Sequence, residues 1–206
     1  MLNQRMRDRL LECFRNHRSS LISPQKKSQS SDTTSLGHAL TELIDASVLI
    51  PIIDHTNGLT VLFTERSKEL KNHPGQISFP GGRMEASDED YVATALRESE
   101  EEIGLSRRAV TILGQLDICL TGTGFRITPV VGLIKEPLSL RLSPREVADT
   151  FEVPLLTLLD KKRYRTNTTV LENGDTREFH VFDYPDRYIW GATAKMLVNL
   201  RNVIGN

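Results

Sequence analysis

The sequence predicts an α+β fold in which a mixed β-sheet is held between helices. Strand-like segments dominate the middle of the chain, and helical patterns lie before, among and after them without regular βαβ alternation. A chain of 206 residues is long enough for one domain with a short appendage. We therefore expect an amphipathic helix at residues 1–18, a flexible linker at 19–38 and a globular domain at 39–206.

The composition is that of an ordinary globular protein. Hydrophobic residues make up 38% of the chain and charged residues 26%, and 26 Lys and Arg nearly balance 27 Asp and Glu. The net charge of −1 disfavours a protein that coats nucleic acid, because such proteins carry a basic excess. No apolar run approaches the roughly 18 residues that a transmembrane helix needs. We expect a cytoplasmic protein that binds neither nucleic acid nor a membrane.

The first predicted element is the N-terminal helix. Apolar side chains recur there at helical spacing: Leu2, Met6, Leu10 and Phe14. The five arginines in the first twenty residues are also typical of a mitochondrial presequence. Asp8 and Glu12 interrupt that basic face, however, and favour a plain amphipathic helix. The polar stretch from Ser19 to Ser35 is typical of a flexible linker, so we expect the helix to dock on the domain or on a partner subunit.

The next segments predict a β-hairpin. Apolar runs at Ala46–Ile53 and Leu59–Arg66 flank the turn signal Asn57-Gly58. A third β-prone piece, Gln76–Phe79, leads into Pro80-Gly81-Gly82, where the glycines allow the backbone to approach a ligand closely. We expect this loop to lie next to whatever site the protein carries.

A helical pattern follows the glycine loop. Ser87 is the predicted N-cap, and Gly104 is a natural stop after Ile103. The later elements are predicted in chain order as strands at Ala109–Leu120 and Ile127–Ile134, a short helix at Val153–Asp160, a strand at Glu178–Tyr184 and a closing helix at Ala192–Val203.

Three carboxylates of this helix share one edge. At 100° per residue, Glu98, Glu101 and Glu102 span about 100° of arc beside the apolar stripe, whereas Glu100 points away. Clustered carboxylates repel one another, and a hard divalent cation such as Mg²⁺ or Mn²⁺ would turn that repulsion into attraction. A solvated acidic face is the alternative interpretation of the helix taken alone.

The glycine loop and the acidic helix together resemble the Nudix box. The segment GRMEASDEDYVATALRESEEEIGL, from Gly82 to Leu105, holds the Arg-Glu-x-x-Glu-Glu-x-Gly half of that motif intact. Six residues rather than five separate Gly82 from Glu89, whereas Asp88 has the expected spacing from the loop. Either residue is a candidate for the first acidic position of the box.

The resemblance extends to the coenzyme A pyrophosphatase branch of this family. Val61–Gly82 resembles the signature of that branch, in which a basic strand end runs through His-x-Gly-Gln into Phe-Pro-Gly-Gly. Further similar pieces are Thr128–Gly132, Glu146–Leu155 and Trp190–Ala194. The similarity covers about residues 43–200, and it implies an α/β/α sandwich around a mixed sheet.

The resemblance also implies roles for individual residues. Metal ligands for Mg²⁺ or Mn²⁺ are implied at Glu98, Glu101 and Glu102. Catalytic roles are implied at Arg97, Glu98, Glu101 and Glu146, of which Glu98, Glu101 and Glu146 are alternative general bases. Substrate contacts are implied at Arg66, Lys68, Lys71, Gln76, Gly81 and Gly82.

The implied activity is metal-dependent hydrolysis of the diphosphate of coenzyme A or its derivatives. The products would be 3′,5′-ADP and 4′-phosphopantetheine or its acylated form. One alternative keeps the chemistry and changes the substrate to ADP-ribose or another nucleoside diphosphate derivative. The other is a nucleotide-binding module of the same fold without catalysis. A homodimer is a further expectation.

Overall fold

The computed structural model describes residues 2–17, 43–170 and 174–205 of the chain. The predicted linker at 19–38 lies outside these residues. The helices of the described part are α1 (Leu2–Asn16), α2 (Tyr91–Ile103), α3 (Leu155–Leu159) and α4 (Gly191–Gly205). Its strands are β1 (Ile44–His55), β2 (Gly58–Arg66), β3 (Ile77–Ser78), β4 (Gly81–Arg83), β5 (Val110–Gln115), β6 (Cys119–Leu120), β7 (Phe125–Lys135), β8 (Val147–Pro154), β9 (Tyr164–Val170), β10 (Thr176–Tyr184) and β11 (Arg187–Trp190). None of these helices is long and apolar enough to cross a membrane.

A large mixed sheet forms the centre of the domain. Its main path runs β3-β2-β1-β7-β5, with β4 also paired to β1, β6 to β7 and β8 to β2. The β1–β7 pair is parallel and extends from Ile44↔Phe125 to Asp54↔Lys135, whereas β1 pairs antiparallel with both β2 and β4. Strands β9, β10 and β11 form a separate antiparallel sheet.

Alternate residues of β1 face opposite sides of the large sheet, as the pleat of a strand requires. Leu49 and Ile53 lie in a cluster with Ala95 and Ile103 of α2, so α2 covers one face. Ile50 and Ile52 lie in the other cluster, to which α1 and α4 contribute. The predicted α+β fold, with a mixed sheet between helices, is therefore confirmed.

The N-terminal helix docks on this second face, the first of the two alternatives, domain or partner subunit, that the sequence left open. Leu10 is fully buried and Phe14 nearly so. Arg9 donates from Nε to the carbonyl of Ile204 in α4 over 3.0 Å, and Arg7 pairs with Asp54 at the end of β1. Apolar burial and two polar contacts thus fix α1 against the domain.

Two predicted boundaries are wrong. Helix α2 begins at Tyr91 rather than at Ser87, because Asp90 is the N-cap and its side chain accepts from the Ala93 N–H at 2.7 Å. The helix predicted from Val153 begins only at Leu155, since Val153 pairs with Val61 in the sheet as part of β8. The end of α2 is confirmed, because Gly104 is left-handed with φ 68° and its N–H bonds to Glu100.

The other predicted strands are present with shifted ends, and one segment is divided. The stretch predicted as one strand at 109–120 forms β5 and β6, and the pairing of β5 with β7 is irregular between Ile112 and Gly114. The exposed, polar strand β9 has no counterpart in the predictions.

A partly buried histidine joins three strands of the large sheet. His55 at the end of β1 contacts Glu136, just beyond β7, and Glu152 of β8, each at 2.6 Å. Partial burial lowers the pKa of His55, but the two carboxylates outweigh it, so the pKa lies above its ordinary value. The protonated ring therefore stabilises the folded protein.

We predict that His55→Gln destabilises the protein more in acid than in alkali. Because the folded-state pKa is raised, the stabilisation is fully present below the ordinary value of about 6.5 and is lost as pH rises through the folded value. Urea unfolding at about pH 5.5 and about pH 9 measures the difference. A loss of stability that is the same at both pH values would contradict the role of the charged ring.

Candidate active site

The C-terminal half of α2 packs against the glycine loop. Gly81 pairs with Val48 of β1, and its N–H donates to Oε2 of Glu102 over 3.1 Å. A Cβ on Gly81 would lie 2.4 Å from the carbonyl oxygen of Ser47, and a Cβ on Gly82 would lie 2.5 Å from the carboxylate of Glu98. A side chain at Gly81 would therefore displace the backbone of β1, and a side chain at Gly82 would push the carboxylate of Glu98 out of its place beside the loop.

Burial makes the two helix carboxylates that face this loop costly to ionise. Glu102 is only 7% exposed. Burial and the nearby charges of Glu98 and Glu146 raise its pKa to about 8, against the opposing effect of the Gly81 N–H and Arg66. Burial likewise raises the pKa of Glu98, although Arg97 opposes the shift. The site thus holds two desolvated carboxyl groups close to each other.

Arg97 is the hub of the ion pairs around the helix. Its Nε and Nη2 each lie 3.0 Å from an oxygen of Asp88, and Nη1 donates to Glu98 at 3.0 Å and Glu101 at 3.1 Å. Nη2 also donates to the carbonyl of Arg83 in β4. Arg97 therefore fixes the helix to the loop that precedes it.

Of the two residues that the sequence leaves open for the first acidic position, Asp88 is the one that contacts Arg97. It accepts from Arg97, from the Glu85 N–H at 2.9 Å and from Thr94 Oγ1 at 3.0 Å. The hydrogen bonds with Arg97 are the largest cause that holds its pKa down, at about 2, against the opposing effect of burial. The five-residue spacing from Gly82 is the signal that favours Asp88, and the part played by Thr94 was not foreseen.

A later loop brings Glu146 close to Arg66, at the end of β2, and to the carboxylates of α2. The Ser143 N–H donates to the carbonyl of Glu102 at 2.8 Å, and the Ser67 N–H donates to that of Glu146 at 2.8 Å. The charge of Glu146 raises the pKa of both Glu98 and Glu102. Arg66 lowers the pKa of Glu102, and its own Nε is buried without a hydrogen-bond partner among the described residues.

The remaining predicted site residues lie farther out. Lys68 and Lys71 are exposed, and neither takes part in an ion pair within the part of the chain that the structure describes. The side chain of Glu101 is 56% exposed, although it contacts Arg97. Gln76 bonds through its backbone to Arg66 and lines a separate cavity. Glu100 points away from the loop, as the helical wheel predicts, and pairs with Arg107.

The donor set fits a hard divalent cation. Residues 2–17, 43–170 and 174–205 contain no ready-made group of three acidic, imidazole or thiol side chains around one point. Arg97 instead occupies one oxygen of Glu98 and one of Glu101, and Glu102 faces the Gly81 N–H. Carboxylate oxygens are nevertheless the ligands that Mg²⁺ and Mn²⁺ prefer, and those of Glu98 and Glu102 are largely shielded from water.

Comparison with known proteins places this geometry in a family. The model of the NUDIX domain matches residues 44–157, which include the glycine loop, α2 and the Glu146 loop. The chain belongs to the Nudix family. The uncharacterized Nudix hydrolase NudL of Photorhabdus laumondii is 41% identical over 155 residues, covering 75% of this chain and 82% of the relative. NudL of Yersinia enterocolitica is 38% identical over 155 residues, covering 75% and 78%.

Among solved structures, DR0079 from Deinococcus radiodurans has a TM-score of 0.49 and 13% identity, covering 75% of this chain and 81% of that one.

The enzyme class follows from the family and the curated relatives. The chain is a Nudix hydrolase, with the pyrophosphohydrolase activity of that class. Nudix hydrolases generally use divalent metal ions and bind small-molecule substrates.

We predict that Asp88→Asn loses about 3 kcal/mol of unfolding free energy, whereas Glu89→Gln changes it by less than about 0.5 kcal/mol. Asp88 is the buried partner of Arg97, with 5% of its side chain exposed, and Asp88→Asn removes the charged acceptor that binds both Nε and Nη2 of that guanidinium. Urea unfolding of the two variants at neutral pH measures the difference. Equal losses would contradict the assignment of Asp88 to the first acidic position.

Proposed function

We propose that this Nudix hydrolase cleaves the diphosphate of coenzyme A and its derivatives. The observation that carries the proposal is the position of Arg66. This cation lies beside the carboxylates of α2, has a buried Nε without a partner in the described residues, and begins the segment that leads through His73-Pro74-Gly75-Gln76 to the glycine loop. A diphosphate that meets Glu98 and Glu102 through a cation lies within the electrostatic reach of Arg66.

The proposed roles follow from this arrangement. Glu98 and Glu102, with Glu101 beside them, would hold a divalent cation, and the backbone carbonyl of Gly81 or Gly82 is a further proposed ligand. When bound, such a cation neutralises diphosphate oxygens and lowers the pKa of a water molecule.

The chain's own groups orient and activate the attacking water. Arg66 binds the diphosphate through charge-assisted hydrogen bonds. Glu98, Glu101 or Glu146 accepts the proton of the water, and Arg97 positions the first two of these carboxylates. The water attacks phosphorus, the bond to the bridging oxygen breaks, and 3′,5′-ADP and 4′-phosphopantetheine are released.

The two lysines of the same segment are proposed to bind the additional phosphate of coenzyme A. A Cβ on Gly75 would lie 3.9 Å from Cγ of Lys68, so the stem of Lys68 runs alongside the loop that follows Arg66. Both Lys68 and Lys71 are exposed and can adapt to a 3′-phosphate.

The cytoplasmic location and the homodimer that the sequence analysis expects remain predictions.

We predict that Glu98→Gln and Glu102→Gln each lower turnover by about a hundredfold or more, whereas Glu100→Gln is nearly silent. The two glutamines keep the side-chain volume and remove the charge that holds the cation. Glu100→Gln is the matched control, because Glu100 lies on the same helix and only pairs with Arg107 at the surface. Steady-state kinetics with Mg²⁺ or Mn²⁺, alongside thermal unfolding, separates lost catalysis from lost folding. Equal effects at all three positions would overturn the assignment.

We predict that coenzyme A is hydrolysed with about ten- to a hundredfold higher kcat/KM than dephospho-coenzyme A or ADP-ribose. This ratio of kcat/KM values corresponds to the free energy of one charge-assisted hydrogen bond to the 3′-phosphate. Lys68→Ala and Lys71→Ala should reduce that preference, whereas Arg66→Ala should slow hydrolysis of all three diphosphates. A panel of substrates with product identification tests this. Faster hydrolysis of ADP-ribose would leave the Nudix chemistry and remove the specificity for coenzyme A, and no turnover of any diphosphate would favour a binding module.

A further inference from the structure

Arg187 joins the small sheet of β9, β10 and β11 to the large sheet. It is the first residue of β11, and its guanidinium contacts two strands of the large sheet. Nη1 donates to Glu65 of β2 at 2.6 Å, and Nη2 donates to Asp149 of β8 at 2.9 Å. The side chain of Arg187 is 27% exposed, so solvent and salt screen these ion pairs only in part.

An aromatic ring holds the same guanidinium from one side. Its central carbon lies 4.4 Å from the centre of the Phe151 ring, within the range of a cation–π contact. Phe151 of β8 in turn stacks on Phe63 of β2, with ring centres 5.4 Å apart. Arg187 is therefore held in place by two carboxylates and one fixed ring.

The two carboxylates that Arg187 binds would repel each other in its absence. Glu65 and Asp149 are direct partners in the antiparallel pairing of β2 with β8. Directly opposed side chains have Cβ atoms about 4.5–5.5 Å apart, and like charges at such positions destabilise the strand pair. Arg187 thus turns a repulsion between the two strands into an attraction.

The ladder of β2 and β8 changes register immediately beyond this pair. Glu65 pairs with Asp149, but Arg66 pairs with Val147, so Ala148 is the extra residue in β8. The extra residue reverses the alternation of β8, because Asp149 faces Arg187 whereas Val147 belongs to the cluster under α2. A β-bulge has this effect, and bulges often lie next to active sites, where they redirect side chains.

The strand ends at this bulge carry two of the proposed site residues. Arg66 directly follows the residue of β2 that Arg187 binds, and Glu146 lies directly before β8. The Ser67 N–H donates to the carbonyl of Glu146 at 2.8 Å, and the charges of both site residues affect the pKa of Glu102. A shift of either strand at the bulge would therefore displace Arg66 and Glu146 relative to α2.

We propose that Arg187 is a positioning residue for the hydrolysis. It holds β2 and β8 together at the bulge, so that Arg66 and Glu146 stay directed at the carboxylates of α2. The inference rests on the proposed function, which gives Arg66 and Glu146 their roles. It extends the catalytic framework to the small sheet, which lies beyond the residues 44–157 that the NUDIX domain model matches.

Steady-state kinetics of Arg187→Met, with Mg²⁺ or Mn²⁺ and the diphosphate that the enzyme hydrolyses best, tests the proposal. We expect kcat/KM to fall about ten- to a hundredfold, because a misplacement of about 1 Å costs a rate factor of that order. Arg165→Met is the matched control and should leave kcat/KM unchanged, since Arg165 pairs with Asp183 within the small sheet. Thermal unfolding checks that both variants are folded. Unchanged kcat/KM in folded Arg187→Met would overturn the proposal.

Arg187→Lys keeps the charge but lacks the planar fork that binds two carboxylates at once. Its kcat/KM should lie between those of the wild type and Arg187→Met. If Arg187→Met does not fold, Arg187→Lys takes its place in the comparison, and an unchanged kcat/KM in that variant would overturn the proposal.

Double-mutant cycles separate positioning from a general loss of stability. In at least one of the two backgrounds, Arg66→Ala and Glu146→Gln, Arg187→Met should lower kcat/KM by a clearly smaller factor than in the wild type. The reason is that its effect passes through a residue that the background has already removed. Equal factors in the wild type and in both backgrounds would contradict the proposal.

The result is separable from that for coenzyme A specificity. If ADP-ribose is the better substrate, the same effects of Arg187→Met are expected with ADP-ribose, and only the proposed substrate fails. If Arg66→Ala slows hydrolysis but folded Arg187→Met does not, the inference about Arg187 alone fails.

Discussion

The repulsion between two desolvated carboxylates, Glu98 and Glu102, is the constraint on which the rest of the site depends. Burial opposes the charge on each group, the charge of Glu98 raises the pKa of Glu102, and the charge of Glu146 raises the pKa of both. An arrangement of this kind is costly to a folded protein unless a compensating cation joins it. The surrounding elements hold the carboxylates in place despite that cost.

Three features of the chain supply that restraint. The Gly81 N–H fixes one oxygen of Glu102, and the missing side chain at Gly82 leaves the space that the Glu98 carboxylate needs. Arg97 binds Glu98 and is itself held by Asp88, so the ion pair at the start of the motif sets the geometry at its end. Because the restraint comes from the backbone and a buried ion pair, the carboxylates are positioned before any ligand arrives.

Local sequence patterns predicted the secondary structure where one rule acts alone. Two apolar runs and the Asn57-Gly58 turn predicted the first hairpin, and Gly104 predicted the end of α2. The rules failed where tertiary contacts compete with them. Asp88 is drawn into the pair with Arg97, so the chain from Ser87 to Asp90 is not helical, and Val153 is recruited to the ladder with β2. Neither partner is close in sequence, and no local pattern records such contacts.

The part of the site that depends on local spacing could be predicted from the sequence, and the part that depends on tertiary contacts could not. Helical spacing alone places Glu98 and Glu102 together and Glu100 apart. The convergence of Arg66 and Glu146 on that helix depends on the pairing of β2 with β8 and on the backbone bond between Ser67 and Glu146, which join segments about 80 residues apart in sequence.

Binding of Mn²⁺ to the purified full chain, followed by the EPR signal of the free ion, tests directly whether a cation compensates the two carboxylates. We expect saturable binding that Glu98→Gln and Glu102→Gln each weaken by more than the roughly tenfold loss typical of an outer partner, and that Glu100→Gln leaves unchanged. Equal Mn²⁺ affinity in the wild type and all three variants would contradict the account.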